Sequence, residues 1–531
     1  MQSSSSEKVD LGEKSVEERE YGVTPLTIKL DETGLPLIPQ PSTSEDDPLN
    51  YPNWLKWLVL FQVSMLAFLA TLNVAIPNPA VVPLSQEFNI AHVTGTYQTT
   101  IAIGTSAIGP LVFVPIANVY GRRFVYLFTL LIGFVSAIGS ALAKSYGTLI
   151  VARAFNGSGA ATAAVLGAGT ISDMCYIHQR GKAMGLYTVM LTNGAHLAPI
   201  IGGYVARSRG WRWCFWTGAM LNGVFLVICF FFLPETLYTR PPGAYDDMLA
   251  DLTKNDELDS TEIKELLKQG KVYQPPPLTL SVYIRRLGFW YPSPDRKLRA
   301  RDFVVKPLSM LKYPSVAFPA LFYGVVYGFA SIEPALTLAT LFTRLYHFDT
   351  VKNGLANGIS LLVGASLGEL CSGPVTDVMV QRARRRALEQ GKAAPAEVRL
   401  HGIWTGAITV PVGLLMYGFT IQYAHSFVAP CIGMAVACFG MQIVSSVCYT
   451  YSCNDCYNVR SNDASICFGF IRQVFGLTLG FYSIPFGDKI GYQWSFFVFS
   501  AIWYVISPAP LSNYPNYFFF SMSSPSYQLF G

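Results

Sequence analysis

From about residue 54 the chain alternates long apolar runs with short polar breaks. The runs recur at roughly 20 residues, the length a helix needs to cross the hydrocarbon of a bilayer. They are predicted to be helical because a backbone in lipid must satisfy its own hydrogen bonds. Six spans are expected first, at 54–76, 96–116, 124–143, 148–171, 183–206 and 213–233. Pro77, Pro79 and Pro83 break the chain into a loop after the first span. Gly121-Arg122-Arg123 makes a charged turn between the second and third, and residues 173–182 read as a polar loop after the fourth.

Residues 234–313 are polar and too many for an ordinary connection, so they separate two units. One surface helix is predicted there, where Asp259 can cap and Glu262 stands three residues on. The end of this stretch, from Arg285-Arg286 through Trp290 and Tyr291 to Lys306 and Lys312, is basic and aromatic, as expected of a segment against a membrane surface. Further spans are predicted at 315–340, 355–376, 402–422, 428–451 and 464–486, and a twelfth from about residue 494. The pattern predicts an all-α membrane protein of two six-helix bundles related by pseudo-symmetry. Its divisions are a disordered cytosolic tail (1–53), a first bundle (54–233), a cytosolic linker (234–313), a second bundle (314–511) and an atypical tail (512–531). The twelfth helix is the weak member. Only about 14 residues run from Trp494 to Ser507 before Pro508 and Pro510, and no Asp, Glu, Lys or Arg follows Lys489. That departure suggests a retained intron or a frame change after about Ala501.

Composition agrees with the membrane reading, since 51% of residues are hydrophobic and only 13% are charged. The net charge of +5 is modest, and no basic stretch is interleaved with base-stacking aromatics, so no nucleic-acid partner is expected. Arg122, Arg123, Arg180, Lys182, the linker, Arg382, Arg384, Arg385, Arg386, Lys392, Arg399 and Arg460 fall on one side of the membrane if both termini are cytosolic. Arg207, Arg209 and Arg212 are the exception. The ten cysteines are scattered and form no disulfide framework. Cys453 and Cys456 match C-x-x-C without a second pair, so neither a metal nor another cofactor is expected. The first fifty or so residues are polar, acidic and serine-rich, so no cleavable signal peptide is expected.

Four motifs stand in order along the first half. Gly121, Arg122 and Arg123 close the turn after the second span, preceded by Asn118 and Val119; Arg153-Ala-Phe-Asn156-Gly157 lies in the fourth span. Asp173 and Arg180 follow at its end, and Gly194 with Ala198-Pro199-Ile-Ile-Gly202-Gly203 lies in the fifth. Around them are Asp47-Pro-Leu-Asn-Tyr-Pro52, Gly210-Trp-Arg-Trp-Cys-Phe-Trp216, Pro234-Glu-Thr236 and Pro395-Ala-Glu-Val-Arg-Leu400. With six spans on each side of a linker, this set resembles the major facilitator superfamily, and within it the fungal twelve-span drug:proton antiporter branch, from Asp47 to about Ala501. Asn118 stands where the family places an acid, Val119 where it places an arginine, and Ala198 where it places a glycine.

The resemblance implies transport by alternating access between two rocking bundles. It implies an inner gate built from Asn118, Gly121, Arg122, Arg123, Asp173 and Arg180, with Asp377, Asp455 and Arg460 as the counterpart in the second half. Asn118 carries no charge, so its half of the latch should be weaker; the alternative is that the arginines only fix topology. Gly194, Ala198, Pro199, Gly202 and Gly203 imply a hinge between bundles associated with export, or simple tight packing. Charges inside spans are costly and are functional suspects: Arg153 with Asn156 beside it, Glu333, Glu369 and Arg472. In the family helices one, four, seven and ten line the cavity, which makes Arg153 and Glu333 the best-placed pair. Glu333 or Glu369 is expected to carry the coupled proton with Arg153 tuning it, against the alternative of structural ion pairs. His196, near the Ala198-Pro199 bend, is either a group that titrates near neutral pH or, as expected of a lone histidine in a packed helix, a hydrogen-bonded structural residue. Tyr97, Phe155, Tyr323, Tyr327 and Tyr449 are candidates to line a cavity, or else pack or face lipid.

The expected function is a proton-coupled transporter in the plasma membrane, working as a monomer in the bilayer and exporting a small apolar or cationic compound, a drug or a secondary metabolite. Its rivals are proton-coupled uptake of a polyamine, cation or nutrient, and a nutrient receptor that moves nothing. An enzyme is not expected, since the loops carry no Walker loop, metal-ligand cluster or nucleophile elbow.

Overall fold

The structure, a computed structural model, describes residues 29–30, 37–239, 271–273, 275–291, 297–389, 396–424, 426–452 and 461–506. The expected capping pair Asp259 and Glu262, the Cys453 and Cys456 pair, Asp455, Arg460 and the tail from 507 lie outside the described residues, as does the side chain of Asp377.

Twelve helices stand close to the predicted runs. The first six are α1 Asn53–Ala75, α2 His92–Tyr120, α3 Arg122–Ala141, α4 Tyr146–Met174, α5 Ile177–Arg209 and α6 Arg212–Phe232. The second six are α7 Pro314–Tyr346, α8 Thr350–Glu389, α9 Ile403–Tyr423, α10 Val428–Tyr449, α11 Ser461–Ile490 and α12 Tyr492–Ile506. Among the described residues ten helices are long and apolar enough to cross a membrane; α5 and α12 are not among them. α5 carries arginines near both ends and packs between α1 and α8. α12 has 15 residues and a length of about 22 Å, short of a full span. Its aromatic face still packs into the second bundle, with Trp503 against Phe322, Phe496 against Tyr417 and Phe499 stacked on Phe329.

Local chemistry sets the breaks. Pro77 cannot donate a hydrogen bond, so α1 ends just before it. The loop expected after it is instead a 3-10 turn, Asn78–Ala80, and a short helix, Val81–Glu87. Pro83 is tolerated in that helix because first-turn N–H groups have no intrahelical partner. Ser145 and Thr148 form a reciprocal capping box at the start of α4. Gly121 (φ +116°) and Gly210 (φ +87°) end α2 and α5 in a conformation that strains any other residue.

Two boundaries differ from expectation. The loop predicted at 173–182 shrinks to Cys175 and Tyr176, because α4 and α5 continue past the apolar residues. α8 likewise runs on through Arg382 to Glu389. A helix leaving lipid keeps its backbone bonded while polar side chains reach water, so hydropathy marks the span and not the helix end. α7 contains a π turn, Gly328–Ile332, immediately before Glu333 and Pro334. Pro334 lacks the N–H that a regular α-helical ladder would use there.

The first bundle packs around Leu55, Val63, Tyr126 and Leu166 at one end and Leu72, Ile76, Leu149 and Phe215 at the other. The second packs around Phe322, Tyr417, Met441 and Phe468. The bundles meet along α2 with α11 and α5 with α8. Phe128, Val135, Phe231, Ile408 and Val412 are exposed, as a lipid-facing belt requires. The face carrying residues 120–123, 173–180 and 275–291 is called the linker face below, and the opposite one the far face. A separate small unit, 1–41 with 242–274, contains a parallel pair joining Lys29–Leu30 to Lys271–Val272.

Candidate functional site between the bundles

The Gly-Arg-Arg turn is ordered by an acid from far along the chain. Glu235, fully buried, accepts the backbone N–H groups of Arg122 and Arg123, both at 3.0 Å, and those of Thr236 at 2.9 Å and Leu237 at 2.7 Å. It thereby caps the first turn of α3, whose N–H groups would otherwise be orphaned. A Cβ at Gly121 would lie 2.7 Å from the Glu235 carboxylate, a second reason for glycine there. The Tyr51 hydroxyl donates to the Glu235 carbonyl at 3.0 Å, and burial pushes that phenol well above its ordinary range.

The two arginines part company. Arg122 pairs with Asp173 at 2.9 Å and reaches the Thr170 hydroxyl at 3.3 Å. Arg123 is buried and donates to four carbonyls, those of Leu233 (2.7 Å), Gly288 (3.0 Å), Leu287 and Phe230. Arg180 donates to the Ser172 carbonyl at 3.2 Å. Of the expected gate residues, Arg122 and Asp173 are therefore brought together, while Arg123 anchors the linker. A short helix, Leu280–Arg286, completes that side: Arg285 and Arg286 both pair with Asp46, at 2.7 and 3.2 Å.

Arg153 does not reach Glu333. Its guanidinium, wholly buried, donates to the carbonyls of Asn73 (2.9 Å) and Val74 (2.8 Å) on α1 and Gln98 (3.2 Å) on α2, and to the Asn156 side chain (3.0 Å). The Asn73 carbonyl is available because its helical donor would be Pro77. Asn156 in turn donates to Ser136 on α3 at 3.3 Å. The expected tuning of a carboxyl by Arg153 is thus replaced by a staple within the first bundle. Glu333 is also enclosed, 1% exposed, inside the second bundle, with Tyr417, Tyr482 and Tyr492 within electrostatic reach and one carboxyl oxygen without a hydrogen-bond partner.

Glu369 differs from both. On α8, it accepts from Thr188 of α5 at 3.2 Å and from Gln442 of α10 at 2.5 Å, so its two oxygens join the bundles. It lines a cavity of about 230 Å³ with Val189, Thr192, Asn193, Ser366 and Gln442. Gly364 and Gly368 let α10 approach: a Cβ there would meet the Ala435 and Phe439 carbonyls at 2.3 and 2.7 Å.

The fifth-span motif packs on two sides. A Cβ at Gly194 or Gly202 would fall 2.3 Å from the Phe68 carbonyl or 1.9 Å from that of Ile76, both on or just after α1. One at Gly203 would fall 2.6 Å from the Thr350 carbonyl of α8, and Gly354 faces the Pro199 carbonyl at 2.2 Å. Ala198 is buried with Leu72 and Phe215. Toward the linker face a Cβ at Gly181, Gly185 or Gly373 would meet nothing within 4 Å. His196 is buried, with Nδ1 lacking a partner, so the hydrogen-bonded role expected for it is not seen at that atom.

The exceptional arginines of the far face are occupied. Arg207 pairs with Asp349 across the bundles at 3.1 Å, and Arg212 pairs with Glu87. Phe155 is 60% exposed and faces outward, whereas Tyr97 contacts Phe481 of α11 and Tyr323 clusters with Tyr327 and Tyr449. Sequence reasoning missed Glu235 and Asp349 as partners. Glu235 stood directly beyond an apolar run; Asp349, nine residues past the predicted end of its span, gave no such signal.

Comparison with known proteins agrees with this architecture. The profile of the Major Facilitator Superfamily matches residues 63–458. The chain is 28% identical to the MFS-type transporter penM of Penicillium rubens, over 76% of this chain and 74% of that protein. It is 25% identical to the efflux pump radE of Floropilus chiversii, over 85% of this chain and 78% of that protein. Among solved structures it resembles the xylose transporter XylE of E. coli in a partially occluded inward open conformation. The TM-score is 0.57 with 14% identity, covering 87% of this chain and 98% of that one; at that identity the likeness speaks to fold alone.

Proposed function

We propose, for a chain that belongs to the major facilitator superfamily and is a multi-pass secondary transporter, that it exports a small organic compound in exchange for protons. The observation that carries this reading is Glu369, the in-span carboxylate held by donors from both bundles and open to the cavity between them. A group at that seam changes its surroundings when the bundles rock, and a carboxyl whose surroundings change takes up and releases protons. Fungal relatives named as efflux pumps support the direction.

The linker face is the cytosolic side in this reading, and both termini are assigned to the cytosol. Arg122, Arg123, Arg180, Lys182, Arg285, Arg286 and Arg382 gather at that end, whereas Arg207 and Arg212 of the far face are offset by Asp349 and Glu87. The membrane is the plasma membrane and the working unit a monomer.

The test is flux in inside-out and right-side-out vesicles under an imposed pH gradient, with a panel of candidate compounds. Glu369→Gln should lower proton-driven flux at least ~10-fold at normal abundance, and Glu333→Gln should leave it within about twofold once corrected for folded protein. Unchanged flux in Glu369→Gln, or movement of compound along with protons, refutes the proposal.

A further inference from the structure

A charge inside a membrane span is tolerated when something compensates it. Arg122 has Asp173, Arg153 has four oxygen acceptors, and Glu369 has two donors. Arg472, about a third of the way along α11, is served differently. Its guanidinium donates to the Tyr323 hydroxyl at 3.3 Å and lies over the Tyr327 ring, 4.6 Å from the centroid. Its Nε is shut away from solvent with no hydrogen-bond partner. Among the described residues no carboxylate forms an ion pair with it. A carboxyl in such a position can neutralise itself by binding a proton; a guanidinium has no equivalent exit.

Arg472 stands at the edge of the second bundle's core, itself only partly covered, beside aromatic residues of that core. Tyr323 stands against Tyr327, Tyr449 and Phe468, with ring centroids 5.8, 5.3 and 6.2 Å away, so the two α7 tyrosines that touch the guanidinium belong to an aromatic cluster shared with α10 and α11. From the first bundle, Tyr187 of α5 lies within electrostatic reach of both Arg472 and Tyr449. Gly469, three residues earlier on α11, faces Val165 of α4. Arg472 therefore sits where helices of both bundles converge.

We infer that Arg472 is an anion-binding residue of the transport path, and that the compound carried is an organic anion with an aromatic or conjugated body. A carboxylate or phenolate would supply the missing counter-charge on the planar guanidinium fork, and its ring would lie among Tyr323, Tyr327 and Tyr449. This rests on the transport reading above and turns its substrate class away from the apolar or cationic compounds expected from sequence.

Three probes that share one ring system and differ in charge test it: 2-naphthoate, 2-naphthylmethanol and 2-naphthylmethylammonium. Their binding to the purified full-length protein is measured by equilibrium dialysis at neutral pH. The expected result is naphthoate at least ~10-fold tighter than the alcohol, with the ammonium weakest. Arg472→Gln should bring naphthoate down to the affinity of the alcohol, and Arg472→Lys should keep part of the preference. Equal affinities, a preference for the ammonium, no binding of naphthoate, or a preference that survives in folded Arg472→Gln would each overturn the inference. Should that variant not fold, the wild-type series and Arg472→Lys decide it alone. Dialysis imposes no proton gradient. A preference that holds while proton-driven flux fails thus refutes only the transport reading, and proton-driven flux without the preference refutes only this one.

Discussion

Replacing Glu235 is the sharpest test of how the Gly-Arg-Arg turn is held. Its carboxylate accepts four backbone N–H groups at 2.7–3.0 Å with no exposure to solvent. Hydrogen bonds to a charged acceptor contribute about 1.5–3 kcal/mol each, and they are not additive at one site. Glutamine can keep the three bonds made by one oxygen, those from Arg122, Thr236 and Leu237. Its amide NH2 must then face the N–H of Arg123, donor against donor, which leaves both buried donors without an acceptor at about 2–4 kcal/mol together. Alanine strips all four acceptors and should cost more, about 3–5 kcal/mol. For a unit the size of the first bundle each kcal/mol moves the midpoint by about 2–4 °C. Glu235→Gln should therefore melt roughly 4–16 °C below the wild type, and Glu235→Ala lower still, followed by tryptophan fluorescence of the detergent-purified protein. A Glu235→Gln protein that melts within about 1 °C of the wild type refutes the capping argument, because the donor clash admits no such result.

Two further predictions concern the far face. Gly354→Val places atoms against the Pro199 carbonyl, which a Cβ alone would approach to 2.2 Å, so α5 and α8 should no longer close there. An Asn357→Cys reporter, at a position 3% exposed, should then react with a water-soluble maleimide at least ~10-fold faster than in the Gly354 background, and an unchanged rate counts against closure at this seam. Arg207→Ala removes an ion pair whose side chains are 66% and 37% exposed, so its cost should be no more than ~1 kcal/mol and should vanish in about 1 M salt. A large, salt-independent loss of stability would show that the pair does more than hold the surface.

The helices were legible in the chain because the bilayer imposes one length on every span, and each apolar run found its helix. What hydropathy could not report was continuation beyond lipid, which is why α8 reaches Glu389 and the expected loop at 173–182 is mostly helical. The candidate site was legible as residue types but not as partners. Arg153 stood out as a costly charge, yet its acceptors are carbonyls some 55–80 residues away, one of them left without its helical donor by Pro77. Glu333 and Glu369 were equivalent in sequence; only packing separates a carboxyl enclosed by one bundle from one shared by two. No spacing rule could link Glu235 to a turn 112–113 residues earlier.

The two faces of the molecule differ in what their contacts cross. On the far face Arg207 meets Asp349, and Gly203 and Gly354 bring α5 against α8, all between bundles; nearer the middle Gln473 donates to Ser106 at 2.5 Å, again between bundles. On the linker face the bonds of Arg122, Arg123 and Glu235 stay within the first bundle and the segments leading out of it. Arg123 has spent its donors on four carbonyls and would have to break buried bonds to reach the second bundle, so it is a poor latch. Arg122 makes fewer such bonds, an ion pair with Asp173 and a hydrogen bond to Thr170; its side chain is 5% and that of Asp173 22% exposed, so a change of partner breaks one ion pair instead of four carbonyl bonds. If the linker face closes by a charged contact, Arg122 and Asp173 are better placed to make it than Arg123. The uncharged Asn118 then matters less than its place in the motif implies, because Glu235 already supplies the carboxylate that fixes the backbone of the turn.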